Sequence, residues 1–101
     1  MAVRKWGTVE ARELVRIAIE KEAELSNEQL AIRQANKVEG LEIGEDGEVE
    51  SVDLEKSEAL RRLIENFEEM MGEVAANLIA EEMKSKEVEA SDLPEELSRR
   101  Y

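Results

Sequence analysis

The chain contains neither cysteine nor histidine. Disulfides, thiolate-zinc sites, a cysteine nucleophile and imidazole acid-base catalysis are therefore excluded before any motif is sought. Aromatic residues amount to 3%, namely Trp6, Phe67 and Tyr101. Aliphatic and methionine side chains must then build the core, and an aromatic-lined ligand site is a poor fit. No apolar run approaches the roughly 18 residues of a membrane span, and the first residues lack the charged region and apolar core of a signal peptide. A cytoplasmic location is the expectation.

Basic residues are also scarce, with 14 Lys and Arg against 26 Asp and Glu and a net charge of -12. They form no cluster larger than an adjacent pair, as at Arg4-Lys5, Arg61-Arg62 and Arg99-Arg100. Binding to a phosphate backbone needs concentrated cations, and anionic lipid repels such a surface. Neither nucleic acid nor membrane is an expected partner. The glutamate clusters Glu20/Glu22/Glu24, Glu68/Glu69 and Glu81/Glu82 read as surface charge, and like charges held close attract a basic protein.

What remains is a chain of 101 residues that is 42% hydrophobic. That length suits one small domain, residues 1–101, with a modest core near the size where oligomerisation supplies missing burial. The Glu-rich, Cys-free composition also suits a thermophile.

The longest helical pattern runs from Leu54 to Lys86. Leu60, Ile64, Phe67, Met71, Val74 and Leu78 recur at spacings of four and three, widened by Leu63 and Met70, as a core-facing helix requires. Asp53 and Ser57 can each accept a hydrogen bond from the first turn, with Glu55 and Glu58 at the positive end of the dipole. From residue 72 a second apolar side appears: Gly72, Ala76 and Ala80 fall four apart, flanked by Ile79 and Met83. Small residues so spaced let another backbone approach closely, and a mid-helix glycine costs about 0.5–1 kcal/mol unless packing compensates. Gly72, Ala76, Ile79, Ala80 and Met83 are the expected interface of a homodimer or larger assembly.

Upstream, Thr8 can cap a helix over residues 9–25, with Ala11, Leu14, Val15, Ile17, Ala18, Ile19 and Leu25 on one apolar side. Ser26 and Gln29 have capping-box spacing, with Leu25 and Leu30 placed as a hydrophobic staple. They predict a second helix over 27–37, with Gly40 available as a left-handed stop; a strand over Leu30–Ala35 is the alternative. Residues 40–44 and 48–52 read as short strands joined by a glycine-rich turn. Two such strands are marginal alone and must lie on a helix or join another sheet edge, such as the same hairpin of a second chain. The acidic turn lacks the ligand pattern of an EF-hand. Residues 85–101 read as a linker and a terminal helical turn started by Asp92-Leu93-Pro94-Glu95, a mobile tail unless Leu93, Leu97 and Tyr101 dock.

Three local patterns resemble known proteins. Arg4-Lys5-Trp6-Gly7 is similar to the opening of swapped-hairpin antitoxin DNA-binding domains, although no similar strand follows. Residues 9–37 resemble the first two helices of a helix-turn-helix unit, but the residues after Val38 are acidic where a recognition helix would be basic and polar. Glu69-Met70-Met71-Gly72-Glu73 distantly resembles the glutamate motif of all-α nucleoside-triphosphate pyrophosphohydrolases. That likeness implies magnesium held by Glu69 and Glu73 from one helical face. The second acidic motif of that family is missing, since Glu81 and Glu82 are followed by Lys84 and Ser85.

The sequence thus predicts a mostly α, α+β fold ordered helix, helix, β-hairpin, long helix and short terminal helix, in an intertwined or helix-packed dimer. It predicts a non-enzymatic acidic adaptor or regulatory subunit without cofactor, metal or catalytic residue. The alternatives are a magnesium-dependent pyrophosphohydrolase-like enzyme and an acidic DNA-mimic or antitoxin-like inhibitor.

Overall fold

The computed structural model describes residues 10–101. Its elements follow the expected order: α1 (Ala11–Leu25), α2 (Glu28–Asn36), β1 (Leu41–Ile43), β2 (Val49–Val52), α3 (Lys56–Met71), α4 (Val74–Ser85), a 3-10 turn at Ala90–Asp92 and α5 (Glu95–Ser98). The fold is mostly helical with one two-stranded antiparallel hairpin. Trp6 and the Thr8 cap lie outside the described residues.

The centre of the structure is α1. Leu14, Val15, Ile17, Ala18 and Ile19 are all buried, a run wider than one stripe, because α1 packs on α2, α3, α4 and β2. A helix surrounded by neighbours must be apolar on most sides. The stretch 54–86, which carries the longest helical pattern in the sequence, forms part of the wall around α1.

That stretch is also two helices. Gly72 ends α3 with φ 76 and ψ -167, a backbone region open essentially only to glycine. The Gly72 amide still donates to the Glu68 carbonyl at 2.7 Å, closing the last turn of α3 before the chain turns away. Before the break the predicted stripe holds, with Leu60, Leu63, Ile64 and Phe67 buried. Beyond it the phase changes: Ala75, Ala76, Ile79, Ala80 and Met83 are buried, whereas Val74, expected in the core, is 44% exposed.

Ser26 and Asn27 divide the work expected of a capping box. The N-cap of α2 is Asn27, whose Oδ1 accepts from the Leu30 amide at 2.9 Å. Ser26 finishes α1 instead, its amide and hydroxyl both donating to the Glu22 carbonyl at 2.9 Å. The α2 helix has Ala31 and Ala35 buried, and helix is what residues 28–36 form.

The hairpin register pairs Leu41 with Val52, Glu42 with Ser51 and Ile43 with Val49, with an irregularity between Glu42 and Ile43. It lies on α1 and α2, burying Leu41, Ile43 and Val49. Gly40 enters β1 at φ 101, and a Cβ there would come within 2.8 Å of Leu54 Cγ. Both sides of the hairpin are engaged by side chains. Asn36 donates from Nδ2 to the Ile43 carbonyl at 3.0 Å and accepts the Ile43 amide at 2.9 Å, imitating a neighbouring strand, and Arg12 donates to the Glu50 carbonyl at 3.3 Å. Occupied edge groups of this kind discourage pairing with a second hairpin.

The C-terminal segment docks. Val88, Leu93 and Leu97 are buried, α5 packs on α4, and the Tyr101 hydroxyl donates to the Val88 carbonyl at 2.9 Å. Lys56 at the start of α3 meets Asp92 at 2.7 Å, and Arg100 donates to Asn77 Oδ1 at 2.7 Å. The expected second cover for α4 therefore comes from the chain's own end.

Candidate interaction surface

Four of the five residues expected at an intermolecular interface are interior. Ala76 and Ile79 are 0% exposed, Met83 0% and Ala80 2%, enclosed within one chain by the elements that pack on α4, namely α1, α3 and α5. Gly72 is exposed, with nothing within 4 Å of the position a Cβ would take. Its role is therefore conformational: it makes the break, and no backbone of the described residues approaches it. The exposed apolar residue left nearby is Val74, with Met70 and Leu78 half-buried.

The break at Gly72 also changes the reading of Glu69 and Glu73. Glu69 lies on α3, and Glu73 occupies the N-cap position of α4, so the two no longer share one helical face through a four-residue spacing. Both are exposed, and Arg100 stands 3.9 Å from Glu73. Among the described residues no group of three or more acidic side chains is arranged to hold a metal ion. Surface depressions of about 290, 310 and 660 Å³ occur. The largest of these is lined by Gln29, Ile32, Arg33 and Glu45, and among the described residues none of the three is lined by a hydroxyl or thiol nucleophile. No helix among the described residues is long and apolar enough to cross a membrane.

What distinguishes one part of the surface from another is how its carboxylates are balanced. On α3, Glu58 Oε2 accepts from Arg61 and Arg62, each at 2.6 Å, and Arg61 also reaches Glu65 at 3.1 Å. The hydrogen bonds from the two guanidiniums hold the Glu58 carboxyl down at about 2. Lys21 on α1 bridges to Glu82 on α4 at 3.8 Å and to Glu24 at 3.5 Å. Lys86 meets Glu82 from the other side at 3.5 Å. Ion pairs thus engage carboxylates of α1, α3 and α4, although Glu13, Glu28, Glu69 and Glu81 on the helices join none among the described residues.

The hairpin differs. Between Lys37 and Lys56 the sequence has no basic residue, and every acidic residue from Glu39 to Glu55 is exposed. None of the ion pairs among the described residues involves them. Asp46 Oδ1 accepts the Glu48 amide at 3.0 Å, and the position a Cβ would take at Gly44 lies 2.7 Å from Glu50 Oε2 and 3.0 Å from Asp46 Oδ1, so two carboxylates stand over that glycine. The run without a cation is visible in the sequence; its exposure on one hairpin, free of ion pairs, is a product of the fold.

Glu22 is a residue whose position the sequence reading missed. It was expected at the surface with Glu20 and Glu24, and it is 0% exposed, with neither carboxyl oxygen meeting a hydrogen-bond partner among the described residues. Burial alone pushes its pKa up to about 7. The signal was its spacing, since Glu22 falls four residues after Ala18 and three after Ile19, on the apolar side of α1.

Comparison with known proteins adds no relative: no family model matches the chain, and no curated protein or solved structure matches it significantly.

Proposed function

We propose that this chain is a non-enzymatic acidic adaptor or regulatory subunit that binds a basic protein partner. The observation that carries the reading is the unbalanced hairpin, whose exposed carboxylates from Glu39 to Glu55 join no ion pair among the described residues. Uncompensated like charge on one face steers a cationic protein to it, with an association rate that falls as salt rises. The same charge disfavours a phosphate backbone or an anionic lipid surface as partner.

Self-association, if it accompanies this role, has a smaller apolar surface to use than the sequence promised. Val74, 44% exposed, with half-buried Leu78 four residues further along α4, is the feature that favours a homodimer.

The test compares the wild-type chain with a variant in which Glu42, Glu45, Asp46 and Glu48 are changed to Gln or Asn, each used as bait at low and high salt. A basic protein held by the wild type, released by salt and lost with the variant supports the proposal. Equal recovery on both baits overturns it. Magnesium-dependent release of pyrophosphate from nucleotides, abolished by Glu69→Gln with Glu73→Gln, would favour the enzyme reading instead.

A further inference from the structure

Glu22 occupies a structural junction. Its carbonyl accepts both the amide and the hydroxyl of Ser26 at 2.9 Å, so the residue sits where α1 ends and the chain turns into α2. Its side chain is fully buried, yet Ser26 and Asn27 immediately beyond are exposed, so solvent lies one turn away.

Apart from half-buried Glu68, the charged groups on the elements around α1 are paired elsewhere or exposed, Glu81 and Lys84 of α4 among the exposed ones. From α4, Glu82 is held between Lys21 at 3.8 Å and Lys86 at 3.5 Å. From α3, Glu58, Arg61, Arg62 and Glu65 pair among themselves and Lys56 meets Asp92, while Glu68 is half-buried and Glu69 exposed. Glu28 and Arg33 of α2 and Glu50 of β2 are exposed. On α1 itself, Glu24 and Glu20 are exposed and engage Lys21 and Arg16. None of these forms an ion pair or hydrogen bond with Glu22.

We propose that Glu22 is a proton-operated latch on the corner between α1 and α2: with its proton it packs as a neutral side chain, and without it the corner must open to admit water. A carboxylate stripped of both water and donors is far costlier to bury than the neutral acid. Ionisation therefore favours states in which the last turn of α1 parts from the elements over it. The sign follows from the raised pKa. Stabilisation is fully present below the ordinary value of 4.5 and is lost as pH rises through about 7. The latch is independent of which partner the hairpin binds.

The test is urea unfolding of the full chain at pH 5 and pH 8, for the wild type and for Glu22→Gln, which keeps the shape and cannot ionise. The wild-type folding constant should fall on the order of fiftyfold more across this interval than that of the variant. Carboxyl-carbon NMR of the wild type supplies a reading that does not depend on the variant folding, and one glutamate should titrate near pH 7. All glutamates titrating at or below 4.5, or an unchanged pH dependence in Glu22→Gln, would overturn the proposal.

Discussion

The helices α3 and α4 come from one uninterrupted apolar pattern, yet they sit differently in the molecule. The α3 helix behaves as its periodicity demands, with Leu60, Leu63, Ile64 and Phe67 inside and the Glu58–Arg61–Arg62 network outside. The α4 helix buries the residues that, on a continuous rod, would have faced away, and it exposes Val74. The difference teaches that a second apolar face on a helix need not signal a second chain. One glycine with a backbone angle closed to other residues lets the following segment rotate, and the chain's own end can then cover what is left.

Three substitutions test that contrast. The largest effect is expected at Ala76→Glu, which places a charge where the structure has no exposed surface. The loss should be about 4 kcal/mol or more, a large part of the total stability of a domain this size. Urea unfolding together with sedimentation equilibrium reads it. Collapse of folding supports an interior Ala76, whereas a folded variant that merely loses mass would restore the interface reading.

Leu97→Ala should come next. Leu97 is 0% exposed, and truncating a buried leucine costs about 2–5 kcal/mol. Hydrogen exchange should show α4 losing protection before α3, because α5 packs on α4. A change below about 0.5 kcal/mol, typical of surface sites, would mean that the C-terminal segment does not cover α4. The smallest effect is expected at Gly72→Ala. Space is free around the added methyl, so the cost is the backbone strain alone, about 1–3 kcal/mol. Stabilisation by this change would indicate that α3 and α4 prefer to be continuous.

The legible parts of the fold were those governed by neighbours in the chain. Hairpin turn chemistry at Gly44–Gly47, the amphipathic stripe from Leu60 to Phe67 and the helix start near Asn27 all follow from local preferences, and each was placed to within a residue or two. Of the candidate interface, only Gly72 faces solvent, and periodicity could not foresee that. A helical wheel assumes an unbroken axis, and whether Gly72 keeps or breaks that axis depends on what packs around it. Glu22 was misplaced for a related reason: its position on the apolar side of α1 was plain, but glutamate is so rarely buried without a partner that its residue type outweighed its spacing.

The sequence by itself determined the helical class, the hairpin over residues 41–52, the absence of thiol and imidazole chemistry and the cation-free run from Val38 to Glu55. These are matters of residue type and short-range geometry. Tertiary structure alone decided that α1 is the centre, that α4 turns its small residues inward and that the chain's end takes the place reserved for a partner. Each of those outcomes depends on which distant surfaces compete for the same apolar area, and apolar attraction carries no record in the sequence of which partner it will find.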